Sequence, residues 1–248
     1  HVADERIGDE FQKLVRQPRF SHYLRQMQRT GVLEAILPQL QTLQGVEQVG
    51  HPEVDLWDHT LAVITRVEHI IAQPAEYFPS AADRVSEYLQ QPDAIVRIKL
   101  AALFHEVGKP ATGAGEHGGT RLLGHAEHAT AITSVVLRLL CLPRSIRDNV
   151  VRLVREHMRP IMLVNSPPGE GVTIGAIRRF FRDLAPDGVG AIVLAVAEML
   201  SSKGPGIDQA IQKQKMGMLD DIIADYDSHM SERGFERLLD GKDLIDYF

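Results

Sequence analysis

Apolar residues recur at intervals of three and four through almost every segment longer than ten residues, and alternation of period two is hardly seen, so the chain is expected to be all-α. The first helix is predicted over 3–15, with Ile7, Phe11, Leu14 and Val15 facing inward. Ser21 reads as the N-cap of a second helix that Gly31 closes, and a short turn over 33–37 ends at Pro38. Asp55 or Leu56 opens a helix with the stripe Trp57, Leu61, Ile64, Val67 and Ile71. Asp93 is a candidate cap for the next helix, over 94–107, which stops at Gly108-Lys109-Pro110. After a glycine-rich loop over 112–124, helices are predicted over 125–140, 145–158, 173–184, 189–202 and 207–229, with breaks at Pro167-Pro168-Gly169 and Gly204-Pro205-Gly206. The last helix, with Ile211, Met218, Ile222 and Ile223 apolar, is expected to pack internally. Boundaries near 45 and 203 give a small helical segment, 1–45, a histidine-bearing body, 46–203, and a C-terminal segment, 204–248.

A chain of 248 residues can bury a sizeable core without disulfides. Its single cysteine, Cys141, lies in an apolar run and is expected to be a small buried hydrophobe from a reducing compartment, the cytoplasm. No apolar stretch approaches the roughly 20 residues of a membrane span, and the start lacks signal-peptide character. The missing initiator Met, and an end that falls just as a new element begins, read as a piece of a longer protein. A net charge of -6 argues against a dedicated nucleic-acid grip. It leaves room for a local patch, for which arginines 138, 144, 147, 152, 155 and 159 are candidates, and Arg178, Arg179 and 182 again.

Candidate chemistry lies in the histidines and two glutamates. His59 sits on an amphipathic helix, His105-Glu106 near the end of another, His125, His128 and His157 at later helix ends or starts, and Glu198 within a further helix. Imidazole nitrogen and carboxylate oxygen are ligands for a divalent transition metal when several converge from separate helices. Neighbouring helical residues point about 100° apart. His105 and Glu106 can therefore share an ion only at a helix end, which Gly108 supplies. A carboxylate there can bridge two ions and favour hydrolysis of a phosphate ester. His22, His69, His117, His128 and His229 read as ordinary surface or core residues. Spacing alone leaves even His59 and His105 open between ligand and structural roles.

Four strings carry a resemblance. They are His51-Pro52-Glu53-Val54-Asp55-Leu56-Trp57-Asp58-His59, Phe104-His105-Glu106-Val107-Gly108-Lys109-Pro110, Gly124-His125-Ala126-Glu127 and Arg155-Glu156-His157-Met158. In order and interval they resemble the HD-domain region of bacterial tRNA nucleotidyltransferases and their poly(A) polymerase relatives. Thr30-Gly31-Val32-Leu33-Glu34 is similar to that family's neck, and Leu239-Asp240-Gly241-Lys242-Asp243-Leu244 to the start of its tail. The resemblance implies an HD-type helical bundle over 46–203 flanked by small neck and tail helices. It places His59, His105, Glu106 and Glu198 at metal-ligand positions, and His125, His157 and Lys109 beside a substrate phosphate. Glu106 and Glu198 stand where the family has aspartate, each one methylene longer. The implied cofactor is a divalent ion: Mn, Ni, Co, Fe, Mg or Zn.

The resemblance also implies a partner, a tRNA-like RNA 3′ end or a small phosphate ester, and hydrolysis of phosphomonoesters or 2′,3′-cyclic phosphates. Two other readings stand beside it: an RNA-binding body whose site no longer works, and a free-standing hydrolase of nucleotides. Nucleotide transfer would need a Gly-Gly phosphate loop and paired aspartates. Gly118-Gly119-Thr120-Arg121 and Asp225-Tyr226-Asp227 are poor substitutes, so this chain alone is not expected to polymerise nucleotides.

Overall fold

The computed structural model describes residues 4–48, 51–112, 124–165, 172–202 and 208–230. Helices α1 (Asp4–Val15), α2 (Phe20–Arg29) and α3 (Val32–Ile36) lead into a 3-10 turn, Pro38–Leu43. Strand β1 (Glu47–Gln48) pairs antiparallel with β2 (His51–Asp55). Then come α4 (Leu56–Ala72), α5 (Pro74–Tyr77), α6 (Ala82–Leu89), α7 (Ala94–Phe104), α8 (Lys109–Thr112), α9 (His125–Leu139), α10 (Arg144–Glu156) and α11 (Arg159–Val164). Helices α12 (Ile174–Asp183), α13 (Gly188–Ser201), α14 (Gln209–Ala224) and α15 (Tyr226–Met230) complete the described chain. No single helix among the described residues is long and apolar enough to cross a membrane.

The all-α expectation holds, and the small β1–β2 ladder only braces the entry to α4. Asp55 does this with one carboxylate: Oδ1 caps α4 by accepting from Asp58 N–H at 2.8 Å, and Oδ2 accepts from Gly45 N–H at 2.9 Å. Helices α7 and α13 are apolar on nearly every face and are buried along almost their whole length, as the two central helices of a bundle must be. Helix α4 packs on both, α10 on α7 and α9, and α1 and α2 lie against α7 and α4. A buried charge pair, Arg97 Nε to Asp187 Oδ1 at 2.8 Å, is joined by the Tyr88 hydroxyl, which donates to the same oxygen at 2.6 Å.

Several local expectations are corrected. Helix α2 begins at Phe20 with no side-chain cap, because the Ser21 hydroxyl instead donates to Glu68 Oε2 at 2.7 Å. Asp93 stands at the N-cap position of α7 with φ 61°, but its side chain makes no cap bond, because its carboxylate pairs with Arg16. Helix α7 ends at Phe104, not 107, and Lys109 starts α8. The expected 207–229 helix is capped by Asp208 and breaks at Asp225, so its later turns bury Leu219, Ile222 and Ile223 while Ile211 is exposed.

Cys141 is exposed rather than buried. It takes φ 51° just past α9, where its N–H bonds Arg138 O and the Leu142 N–H bonds Leu137 O. That is the Schellman end of a helix, and its left-handed residue turns its side chain outward. Helix α6 was not foreseen, since its eight residues bury only Val85 and Tyr88. The tail-like Leu239 to Leu244 string, the breaks at Pro167-Pro168-Gly169 and Gly204-Pro205-Gly206, His117 and the Gly118-Gly119 pair lie outside the described residues.

Candidate metal centre

Three helix ends deliver the expected site residues to one place. His59 projects from the first turns of α4. His105 is the C-terminal cap of α7, and its Nδ1 lies 2.8 Å from Ala102 O. His157 caps α10 in the same way, with Nδ1 2.7 Å from Val154 O. A carbonyl only accepts, so both imidazoles carry their proton on Nδ1 and turn an Nε2 lone pair inward. Burial holds the His105 imidazole well below its ordinary value, with His157 adding to the effect, and burial lowers His157 too. Both rings are thus kept in the neutral, ligand-competent form.

Glu106 follows His105 in the turn 105–108. Its Oε1 lies 3.7 Å from His105 Nε2 and 3.9 Å from His59 Nε2. One ligand atom from each of these three buried residues falls within 4.8 Å of the others. Four imidazoles make a row: His59 to His105, His105 to His157 and His157 to His125, with centroids 5.8, 5.7 and 5.3 Å apart. His125 Nε2 and His157 Nε2 are 3.4 Å apart, and with His157 protonated on Nδ1 it is His125 that donates.

Gly108 makes this juxtaposition possible. A Cβ there would stand 2.1 Å from His125 O and 2.5 Å from Ala129 N, so only glycine lets the turn lie directly on the start of α9. The sequence suggests a helix stop at this position; the structure uses it for close approach.

Glu198, on α13, stands outside the close trio. Burial pushes that carboxyl up to about 8, and the neighbouring Glu106 charge adds to the shift. The residue borders a hollow of about 360 Å³ between α11, α13 and α14, lined also by Ile161, Ile211 and Lys215. Lys109 reaches in from α8 and donates to Glu106 Oε1 at 2.5 Å. His128 is exposed, with its Nδ1 2.8 Å from Gly124 O, in keeping with an ordinary surface role.

The donor set fits a divalent ion. His105 Nε2, Glu106 Oε2 and Glu198 Oε2 are buried without a hydrogen-bond partner, an arrangement that costs about 1–3 kcal/mol per group unless something else satisfies it. Two imidazoles and one or two carboxylates are the donors such an ion takes.

The arginine candidates divide. Arg152 donates to Asp183 O and Ala185 O, while Arg159 and Arg182 both reach the Asp183 carboxylate, so α10 and α12 share one basic corner. Arg179 is exposed and Arg178 half-buried on α12. Arg144 is engaged by Asp148 and Arg138 by Ser134 O.

Comparison with known proteins adds two family matches: residues 56–202 to the HD domain, and residues 1–43 to a segment described as the probable RNA and SrmB-binding site of polymerase A. The CC-adding tRNA nucleotidyltransferase of Thermus thermophilus is 33% identical over 82% of the chain and 40% of its own length. The A-adding tRNA nucleotidyltransferase of Deinococcus radiodurans is 24% identical over 98% of the chain and 49% of its own length. The multifunctional CCA protein of Methylobacillus flagellatus is 26% identical over 63% and 33%. The chain spans less than half the length of each of these relatives.

Proposed function

The chain belongs to the HD-domain family and corresponds to the HD region of tRNA nucleotidyltransferases, and from that premise we propose a metal-dependent phosphohydrolase acting on phosphomonoesters or 2′,3′-cyclic phosphates at RNA 3′ ends. The observation that supports it is the buried convergence of His59, His105 and Glu106 within 4.8 Å, with His105 Nε2 and Glu106 Oε2 left unsatisfied. His59, His105, Glu106 and Glu198 would hold the ion. The donors suit manganese, nickel, cobalt, iron or zinc, and magnesium with fewer histidines. Such an ion, when bound, polarises a phosphoryl oxygen and lowers the pKa of water.

The remaining work falls to the protein. Hydrolysis joins a water oxygen to phosphorus, breaks the P–O bond to the ester oxygen, and moves one proton from the water and another to the leaving oxygen. Glu106 takes the first. His125, the donor of the His125–His157 pair, supplies the second, and His157 orients it. Lys109 balances charge on the phosphoryl oxygens. Arg178 and Arg179, near the basic corner around Asp183, hold the RNA backbone, and the cytoplasm is the compartment this chemistry serves.

Elemental analysis of the purified chain beside a His105→Ala variant tests the proposal. About one or two equivalents of metal in the parent, lost together with phosphatase activity in the variant, is the expected result. A parent that stays empty after addition of manganese, nickel and cobalt removes the enzyme. A second reading, a non-catalytic RNA-binding body, is favoured by Lys109 already bonding Glu106. Its signature is tRNA binding that survives chelation, with no hydrolysis.

A further inference from the structure

Lys109 has 16% of its side chain exposed and Glu106 only 1%, so the ammonium reaches inward from the rim to a buried carboxylate. The oxygen it holds is Oε1, the same atom that faces His59 Nε2 and His105 Nε2. The contact is built into the backbone. Lys109 N–H bonds Glu106 O at 3.0 Å, which closes one tight turn and sets the two side chains side by side. Around Glu106 the facing groups are His59 from α4, His105 from α7, Glu198 from α13 and His157 from α10. The lysine ammonium stands directly on this carboxylate.

A buried carboxylate without a cation is costly, and two cations on one buried oxygen repel strongly because the local dielectric is low. Resting on the metal-site reading above, we propose that Lys109 is the counter-cation of Glu106 in the metal-free protein, and that it must release Oε1 before a divalent ion can take that oxygen. Its charge then weakens metal affinity and protects the empty site, and its release is what frees the ammonium for a phosphoryl oxygen. A lysine that served only to preorganise Glu106 would have the opposite effect, and metal would bind more weakly without it.

The sign of the affinity change decides between them. Cobalt(II) binding to the full chain is measured by calorimetry for the parent, Lys109→Met, Lys109→Gln and Lys109→Arg. The two neutral variants are expected to bind cobalt about tenfold or more tightly than the parent, and Lys109→Arg to stay near it. Melting of the same samples gives a readout independent of binding. Without cobalt the neutral variants should melt below the parent, and with cobalt they should gain the larger rise. Affinity that is unchanged or weaker in both neutral variants, with the parent still binding, overturns the counter-cation role and leaves the metal site standing. Folded parent and folded variants that all fail to bind cobalt overturn the metal-site reading itself.

Discussion

Helices α4 and α7 share a buried ionic cluster at each end of their contact, and the two clusters are made differently. Toward the neck, Glu68 of α4 accepts from Phe20 N–H at 2.5 Å and from the Ser21 hydroxyl at 2.7 Å, and lies 3.3 Å from Lys99 of α7. Lys99 also donates to Gln17 O at 2.6 Å. None of these buried atoms lacks a partner. Nine residues earlier on α4, and six later past α7, His59 and His105 meet Glu106, and there His105 Nε2, Glu106 Oε2 and Glu198 Oε2 are left without one. A satisfied cluster fastens the neck to the bundle, whereas an unsatisfied one on the same helices is a place where the protein withholds its own hydrogen bonds from itself. Buried charge is common to the two clusters on α4 and α7; completeness of pairing is what sets them apart.

Removing one partner should therefore hurt most at the satisfied end. Glu68→Ala leaves Lys99 buried with only a carbonyl, and is expected to destabilise the fold by about 3–5 kcal/mol, read from the urea midpoint with an unchanged slope. A loss below about 1 kcal/mol would break the contrast by making the clasp ornamental. At the unsatisfied end the sign should reverse. Glu198→Leu, measured in chelator, is expected to gain about 1–3 kcal/mol, because an unmet acceptor is replaced by a side chain of similar volume. Destabilisation there would mean that the carboxyl already has a structural partner.

The smallest effect is a slope. Burial lowers Lys99 below 10.5, with Glu68 opposing, so the unfolded chain holds this proton more tightly than the folded one. The resulting penalty is present at low pH and fades as pH rises toward 10.5. Stability of the parent relative to Lys99→Met should climb across that window in paired denaturation curves. A falling difference would show the ion pair outweighing burial.

These two ends were unequally legible in the sequence. His59, His105 and Glu106 could be placed together because their flanking strings resemble a known family, and the same strings pointed to His125 and His157. Spacing by itself left them open. The Glu68–Lys99 clasp left no trace, since its members lie 31 positions apart and each looks like an ordinary helix-surface charge. The caps failed for a related reason. Ser21 and Asp93 have capping chemistry, but distant groups, Glu68 and Arg16, claim their oxygens. Long amphipathic helices such as α4 and α10 announce themselves by periodicity, and α6 is too short to do so. Gly108 was noticed for the wrong property, because a close approach to His125 O cannot be read from neighbours in sequence.

The outward turn of Cys141 has a practical side. It is the only thiol in 248 residues, it is accessible, and it rides on the corner between α9 and α10. His125 opens α9 at its other end, about 22 Å away along a helix of 15 residues. A single dye attached to that sulfur would be a fixed vantage point from which arrival of a coloured, quenching ion at the histidine row could be watched in real time.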